Sequence, residues 1–161
     1  MEVEYGRWKN IKTKNKVAEI GVLAGYEHKE DVPDSEYLRL ENQLSFPLYV
    51  VAKEIVNAYR NHLDPLNLTY TQYIVMMALW QYGDLSVKEL GQVLRLDSGT
   101  LTPLLKKLEA KAFLKRKRSR QDERVVMVTL TDTGKALRGE AVHIPRRLSE
   151  AAGPIFDVEE T

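Results

Sequence analysis

The sequence predicts a mainly α fold with one small β-hairpin wing, an α+β arrangement in which helices carry the core. Three observations predict it. Apolar residues recur at spacings of three and four through most of residues 37–108. Two short helices follow one another behind clear start signals, an S-x-x-E capping box at Ser86–Glu89 and an Asp97-Ser98 pair. The period then changes to a β-branched run, Arg124 to Leu130, behind a basic stretch.

Residues 1–36 stand apart. Apolar residues are sparse there, and Gly6, Gly21, Gly25 and Pro33 punctuate the stretch, so it reads as an N-terminal extension of uncertain order. From Tyr37 helical periodicity begins. Leu44, Leu48, Val51, Ile55 and Tyr59 form one stripe of a helix ending near His62, with Ser45 as N-cap and Pro47 in the first turn, where a missing N–H costs little. Asp64-Pro65-Leu66-Asn67 breaks that helix. A second, carrying Tyr73, Ile74, Met77 and Trp80, starts behind Thr69 or Thr71 and stops at Gly83-Asp84. The capping box then opens a short helix through Leu90, Val93 and Leu94, in which Gly91 suits a close helix crossing.

Asp97 or Ser98 caps the next helix. Its apolar face is Leu101, Leu104, Leu105 and Leu108; the opposite face carries Ser98, Gly99, Thr102 and Lys106, and Pro103 bends its first turn. Phe113 to Arg118 and Arg124 to Leu130 are the two strands of a hairpin with a polar tip at residues 119–123. Thr131 caps a last long helix through Leu137 and Val142, which Pro145 kinks or ends, and residues 157–161 look like the start of another.

Composition narrows the function. The chain has no cysteine, which excludes disulfides, Cys-ligated zinc, iron–sulfur clusters and thiol catalysis. No apolar run is long enough to span a membrane and no secretory leader is visible, so the expected location is the cytoplasm. The net charge of +1 hides an asymmetry. Residues 106–124 hold nine basic and three acidic side chains, a net +6, and the remainder carries −5. One concentrated basic segment points to a polyanion. The three histidines, His28, His62 and His143, are scattered, and no phosphate-binding or nucleophile motif is present, so an enzyme is not expected and neither is a cofactor.

Two short helices with a tight turn, followed by a basic hairpin, make a winged helix-turn-helix. In that arrangement the helix N-terminus presents Ser98, Gly99, Thr100 and Thr102 to base edges and phosphates, with Lys106 and Lys107 behind them. The hairpin projects Arg118, Arg120 and Arg124 at the backbone or a minor groove of double-stranded DNA. Asp122 either forms a surface ion pair with Arg124 or orients it.

The string Asp97-Ser98-Gly99-Thr100-Leu101-Thr102-Pro103-Leu104-Leu105, with Leu85 to Gly91, Asp122-Glu123-Arg124 and Leu130 to Gly134, resembles the MarR family of winged-helix regulators over about residues 38–150. Leu40 to Leu44 and Leu68 to Tyr73 resemble its organic-hydroperoxide-sensing branch. The resemblance implies an intertwined helical homodimer that represses transcription at a palindromic operator. Residues 37–68 would be an N-terminal dimerisation helix, 69–130 the DNA-binding domain and 131–161 a C-terminal dimerisation helix, short for the family. In that branch a reactive cysteine follows Glu-Asn-Gln-Leu and tyrosines hydrogen-bond its thiolate. The matching positions are Ser45, Tyr49, Tyr59 and Tyr70. A serine cannot enter the sulfenic acid ladder, so this chain is expected to ignore the organic hydroperoxide to which a cysteine-containing parent responds. Two origins stay open: an engineered Cys-to-Ser change that mimics the reduced state, or a non-thiol regulator answering to a small molecule or a metal, for which Glu140, His143 and His62 are the candidate ligands. A dimeric interaction protein that no longer binds DNA is a further rival.

Overall fold

The structure is a computed structural model and describes residues 33–152. The chain divides into two units, Met1–Val56 and Asn57–Thr161. The segment 157–161 lies outside the described residues.

Two 3-10 turns, Asp34–Leu38 and Leu40–Asn42, precede helix α1, Ser45–Leu63, within which the division between the units falls after Val56. Asn42 Nδ2 donates to the Glu36 carbonyl at 2.9 Å, and the Gln43 side-chain amide donates to the Tyr37 carbonyl. The helix begins at Ser45 itself, so this serine is its first helical residue, one place inside the N-cap that the sequence suggested. Pro47 falls in the first turn, where an N–H has no intrahelical partner. The periodic stripe is present but uncovered: Leu48, Val51 and Ile55 are each more than 40% exposed.

The second unit is built around α2, Tyr70–Tyr82. Its apolar residues run around the whole helix, the pattern of an element surrounded by others. Tyr73, Val75, Met76 and Leu79 are buried, and α2 packs against three later helices. Thr69 caps it in a full capping box with Gln72. Strand β1, Leu85–Ser86, leads directly into α3, Val87–Leu94, whose box is Ser86 with Glu89. The Ser86 N–H and hydroxyl both donate to Glu89 Oε2, at 2.8 and 2.7 Å. Arg95 ends α3 in the left-handed region at φ 54°, and Leu96 N–H returns to the Gly91 carbonyl at 3.0 Å. Gly91 is therefore needed for this return and not for a helix crossing. A Cβ there would sit 2.9 Å from the Leu96 carbonyl oxygen, while the nearest atom of the next helix is at ordinary contact distance.

Helix α4, Ser98–Ala110, buries Leu101, Leu105 and Leu108 and contains Pro103. Strands β2, Leu114–Arg118, and β3, Val126–Leu130, form the antiparallel hairpin, with Arg116 opposite Val128 and Arg118 opposite Val126. The sheet has three strands and not two, in the order β1-β3-β2, because Leu85 and Ser86 pair with Val128 and Met127. Helix α5, Asp132–Ala141, ends just before Pro145, the second of the two outcomes expected there, and a separate helix α6, Ile144–Ala152, follows. The break has a direct cause. A continuous helix would need the residue at 145 to donate to the Ala141 carbonyl, and Pro145 has no N–H, so α5 stops at Ala141 and Pro145 lies in the first turn of α6. Among the described residues, no helix is long and apolar enough to cross a membrane.

Candidate nucleic-acid interface

The front of α4 is set by Asp97. Its Oδ1 accepts from the Thr100 N–H at 3.0 Å and its Oδ2 from the Thr100 hydroxyl at 2.7 Å. The Thr100 hydroxyl comes first among the groups that hold this carboxyl below its ordinary range, so the cap is ionised at neutral pH. Ser98, Gly99, Thr100 and Thr102 are all exposed, while Leu101 between them is fully buried. Burying that leucine contributes about 1.5–3 kcal/mol and fixes which face turns outward. The result is a helix N-terminus with small polar side chains and a favourable dipole facing solvent, its first-turn N–H groups largely taken up by the Asp97 cap. Lys106 and Lys107 are exposed further along the same helix.

The wing is ordered by its own turn. Ser119 N–H donates to the Val125 carbonyl at 2.8 Å, and Arg118 Nη1 spans the tip to the Glu123 carbonyl, also at 2.8 Å. Arg118, Arg120 and Arg124 are exposed. Asp122 neither pairs with the Arg124 guanidinium nor aims it. Its Oδ1 accepts from the Arg124 backbone N–H at 2.9 Å, an Asx turn that shapes the loop and leaves the guanidinium to solvent.

Between α3, α4 and the wing lies an open groove of about 830 Å³. It brings Ser98, Thr102 and Arg124 to one face. Gly99, Thr100, Lys106, Lys107, Arg118, Arg120 and Asp122, also expected at the interface, are not among its lining residues. Lys88, Gln92 and Arg95 of α3 do line it, and the sequence reading passed over them. Their spacing of four and three is a polar helical stripe opposite Leu90, which is the signal that marked them. The basic segment is also less free than its charge count implies. Lys111 Nζ turns inward, donating to the Asn67 carbonyl and to Gln72 Oε1, and burial pushes its pKa down. Arg116 is engaged by Glu109.

The four residues matched to a sensor fall in separate units. Ser45 and Tyr49 are exposed and one turn apart on α1. Tyr59 and Tyr70 meet in the second unit, with ring centroids 4.9 Å apart, and Tyr73 joins them 5.9 Å from Tyr59. Burial pushes the Tyr73 phenol up to about 12, helped by Tyr59 and Tyr70, and Tyr59 is raised in the same way. Trp80 packs edge-on to Tyr73 and donates its indole N–H to the Gly134 carbonyl at 2.8 Å. Among the described residues, no group of three or more His, Asp or Glu side chains could hold a metal ion, so Glu140, His143 and His62 are not gathered.

Comparison with known proteins places these features. The family model described as "Transcriptional regulator SarA/Rot" matches residues 57–140. The organic hydroperoxide resistance transcriptional regulator of Bacillus subtilis is 47% identical over 110 residues, which covers 68% of this chain and 75% of that one. The regulator SarZ of Staphylococcus aureus is 49% identical over 105 residues, covering 65% of this chain and 71% of that one. Reduced AbfR bound to DNA superposes with a TM-score of 0.65 at 36% identity, covering 71% of this chain and 85% of that one. These relatives are regulators and none is an enzyme. The chain belongs to the SarA/Rot family of MarR-like winged-helix transcriptional regulators.

Proposed function

We propose that this regulator is a homodimeric repressor of an organic-peroxide response, working in the cytoplasm, with Ser45 at the position where its responsive relatives sense peroxide. The observation that carries the reading is the groove in which the N-terminus of α4 faces Arg124 of the wing. A helix of about 10–12 Å diameter fits a major groove, and an arginine beside it suits the flanking phosphates or a narrow minor groove. Ser98, Gly99, Thr100 and Thr102 then read bases and phosphates, with Lys106, Lys107, Arg118 and Arg120 adding backbone charge. The hydroperoxide assignment is supported by the 47% identity to the Bacillus regulator of that name. Dimerisation is supported by the uncovered apolar stripe of α1, which a second copy would bury, and two-fold symmetry implies a palindromic operator. Tyr49, Tyr59 and Tyr70 complete the sensor site. With no thiol in the chain, the repressor is fixed in its DNA-binding state.

The same absence of cysteine favours one second reading, a MarR-type regulator released by a small ligand and not by oxidation. The test is titration of an inverted-repeat duplex enriched from random-sequence DNA by the purified protein. Two chains per duplex, a steep salt dependence and an unchanged complex after treatment with an organic hydroperoxide support the proposal. Binding with no salt dependence refutes the DNA reading.

A further inference from the structure

Glu109 and Arg116 share three hydrogen bonds between two elements of the second unit. Both carboxylate oxygens are used. Oε1 accepts from the Arg116 backbone N–H at 2.9 Å, and Oε2 accepts from Nε at 2.9 Å and Nη2 at 2.6 Å. The Arg116 and Glu109 side chains are only 25% and 35% exposed, so this is not a loose surface pair. Its place in the fold is specific. Glu109 lies at the end of α4 opposite its exposed polar N-terminus, and Arg116 is the middle residue of β2, an outer strand of the sheet. Two residues beyond Arg116 the paired strand ends and the wing tip begins. Arg116 also lines the groove that holds Ser98, Thr102 and Arg124. A cation there would be counted as a DNA contact, yet its fork is turned onto Glu109.

We propose that Glu109 and Arg116 are a strut that sets the wing against the recognition helix, so that Arg116 is a positioning residue for DNA binding and not a DNA contact. The carboxylate fixes strand and guanidinium together, and the wing arginines inherit their reach from that joint. Simple charge counting makes the opposite statement: Glu109 is an anion beside a DNA-facing groove, and its removal should favour binding.

The two views give opposite signs for one substitution. Operator affinity is measured by fluorescence anisotropy across a salt series, on a duplex enriched from random-sequence DNA by the wild-type protein. The strut predicts that Glu109→Gln weakens binding about tenfold and flattens the log–log salt slope by about one, the loss of one phosphate contact. Arg116→Lys keeps the charge but not the fork, and should show the same loss. Adding Glu109→Gln to Arg124→Ala should cost clearly less than the tenfold seen in the wild-type background, because the strut acts through the wing and Arg118 and Arg120 alone remain for it to place; a role in fold stability alone would not produce that coupling. Tighter binding or a steeper slope for Glu109→Gln overturns the proposal, as does an Arg116→Lys protein that matches wild type, or additive losses. If Glu109→Gln does not fold, Arg116→Lys decides alone. The inference rests on the wing reading above, and the two fail separately. A silent Arg124→Ala removes the wing reading, whereas an active Arg124→Ala beside a silent Glu109→Gln removes only the strut.

Discussion

Gly134→Ala is the sharpest test of how the wing is joined to the rest of the second unit. A Cβ at this position would stand 1.9 Å from the Phe113 carbonyl oxygen, 2.9 Å from its carbon and 3.3 Å from a Leu130 methyl. The first two atoms are backbone and cannot swing aside. The Phe113 oxygen accepts from the Thr131 N–H and the Thr131 hydroxyl, both at 3.1 Å, and the Gly134 carbonyl accepts from Trp80. Moving α5 away sacrifices these three bonds, at about 0.5–1.5 kcal/mol each. Alanine recovers about 1 kcal/mol of helix propensity. The net expectation is a loss of about 2 kcal/mol, or about 4–8 °C in Tm for a chain of this size. Gly139 supplies the control. It lies in the same helix with no atom within 4 Å of an added Cβ, so Gly139→Ala should be neutral or stabilise by up to about 1 kcal/mol. Thermal unfolding followed by circular dichroism, at one fixed protein concentration, compares the two. A Gly134→Ala protein that melts at or above the wild-type temperature refutes the reasoning.

Other outcomes follow from the same contacts. Arg124→Ala should weaken binding to all duplexes alike and lower the salt slope by about one, and an unchanged slope would take the wing out of the interface. Thr102→Ala should shift base preference in a selection from random DNA, whereas Thr100→Ala should also lower Tm, because the Thr100 hydroxyl is bonded to Asp97. Glu89 is held below the ordinary carboxylate value, first by the Ser86 hydroxyl and then by its N–H. A depressed carboxylate stabilises above its unfolded range and loses that contribution as pH falls through the folded one. Glu89→Gln should therefore lower Tm at neutral pH and flatten the wild-type decline below about pH 4.5, and parallel melting curves would contradict it.

The helices with strong local signals were legible, and the reason is physical. Thr69, Ser86, Asp97 and Thr131 all cap where hydroxyl or carboxylate chemistry says they should, because each satisfies N–H groups within three residues of itself. What the sequence could not disclose depends on distant partners. Strand β1 is two residues long and shares Ser86 with a capping box, so its pairing with Met127 has no local period to announce it. Lys111 and Arg116 add to the charge count of the basic segment, but each finds an acceptor in another element. Lys88, Gln92 and Arg95 form a polar stripe at helical spacing that marks the groove surface of α3 in the sequence itself. Asp122 meets the Arg124 backbone N–H and not its guanidinium, a difference that sequence spacing cannot disclose.

The central claim is a DNA-binding regulator whose sensing position holds Ser45. The direct measurement is operator release by an organic hydroperoxide, run in parallel on the wild-type protein and Ser45→Cys. The account predicts that both bind before treatment, that the wild type stays bound afterwards, and that Ser45→Cys dissociates as its single cysteine is oxidised. A Ser45→Cys protein that remains bound with its cysteine demonstrably oxidised, or a wild-type protein that is released, would contradict it.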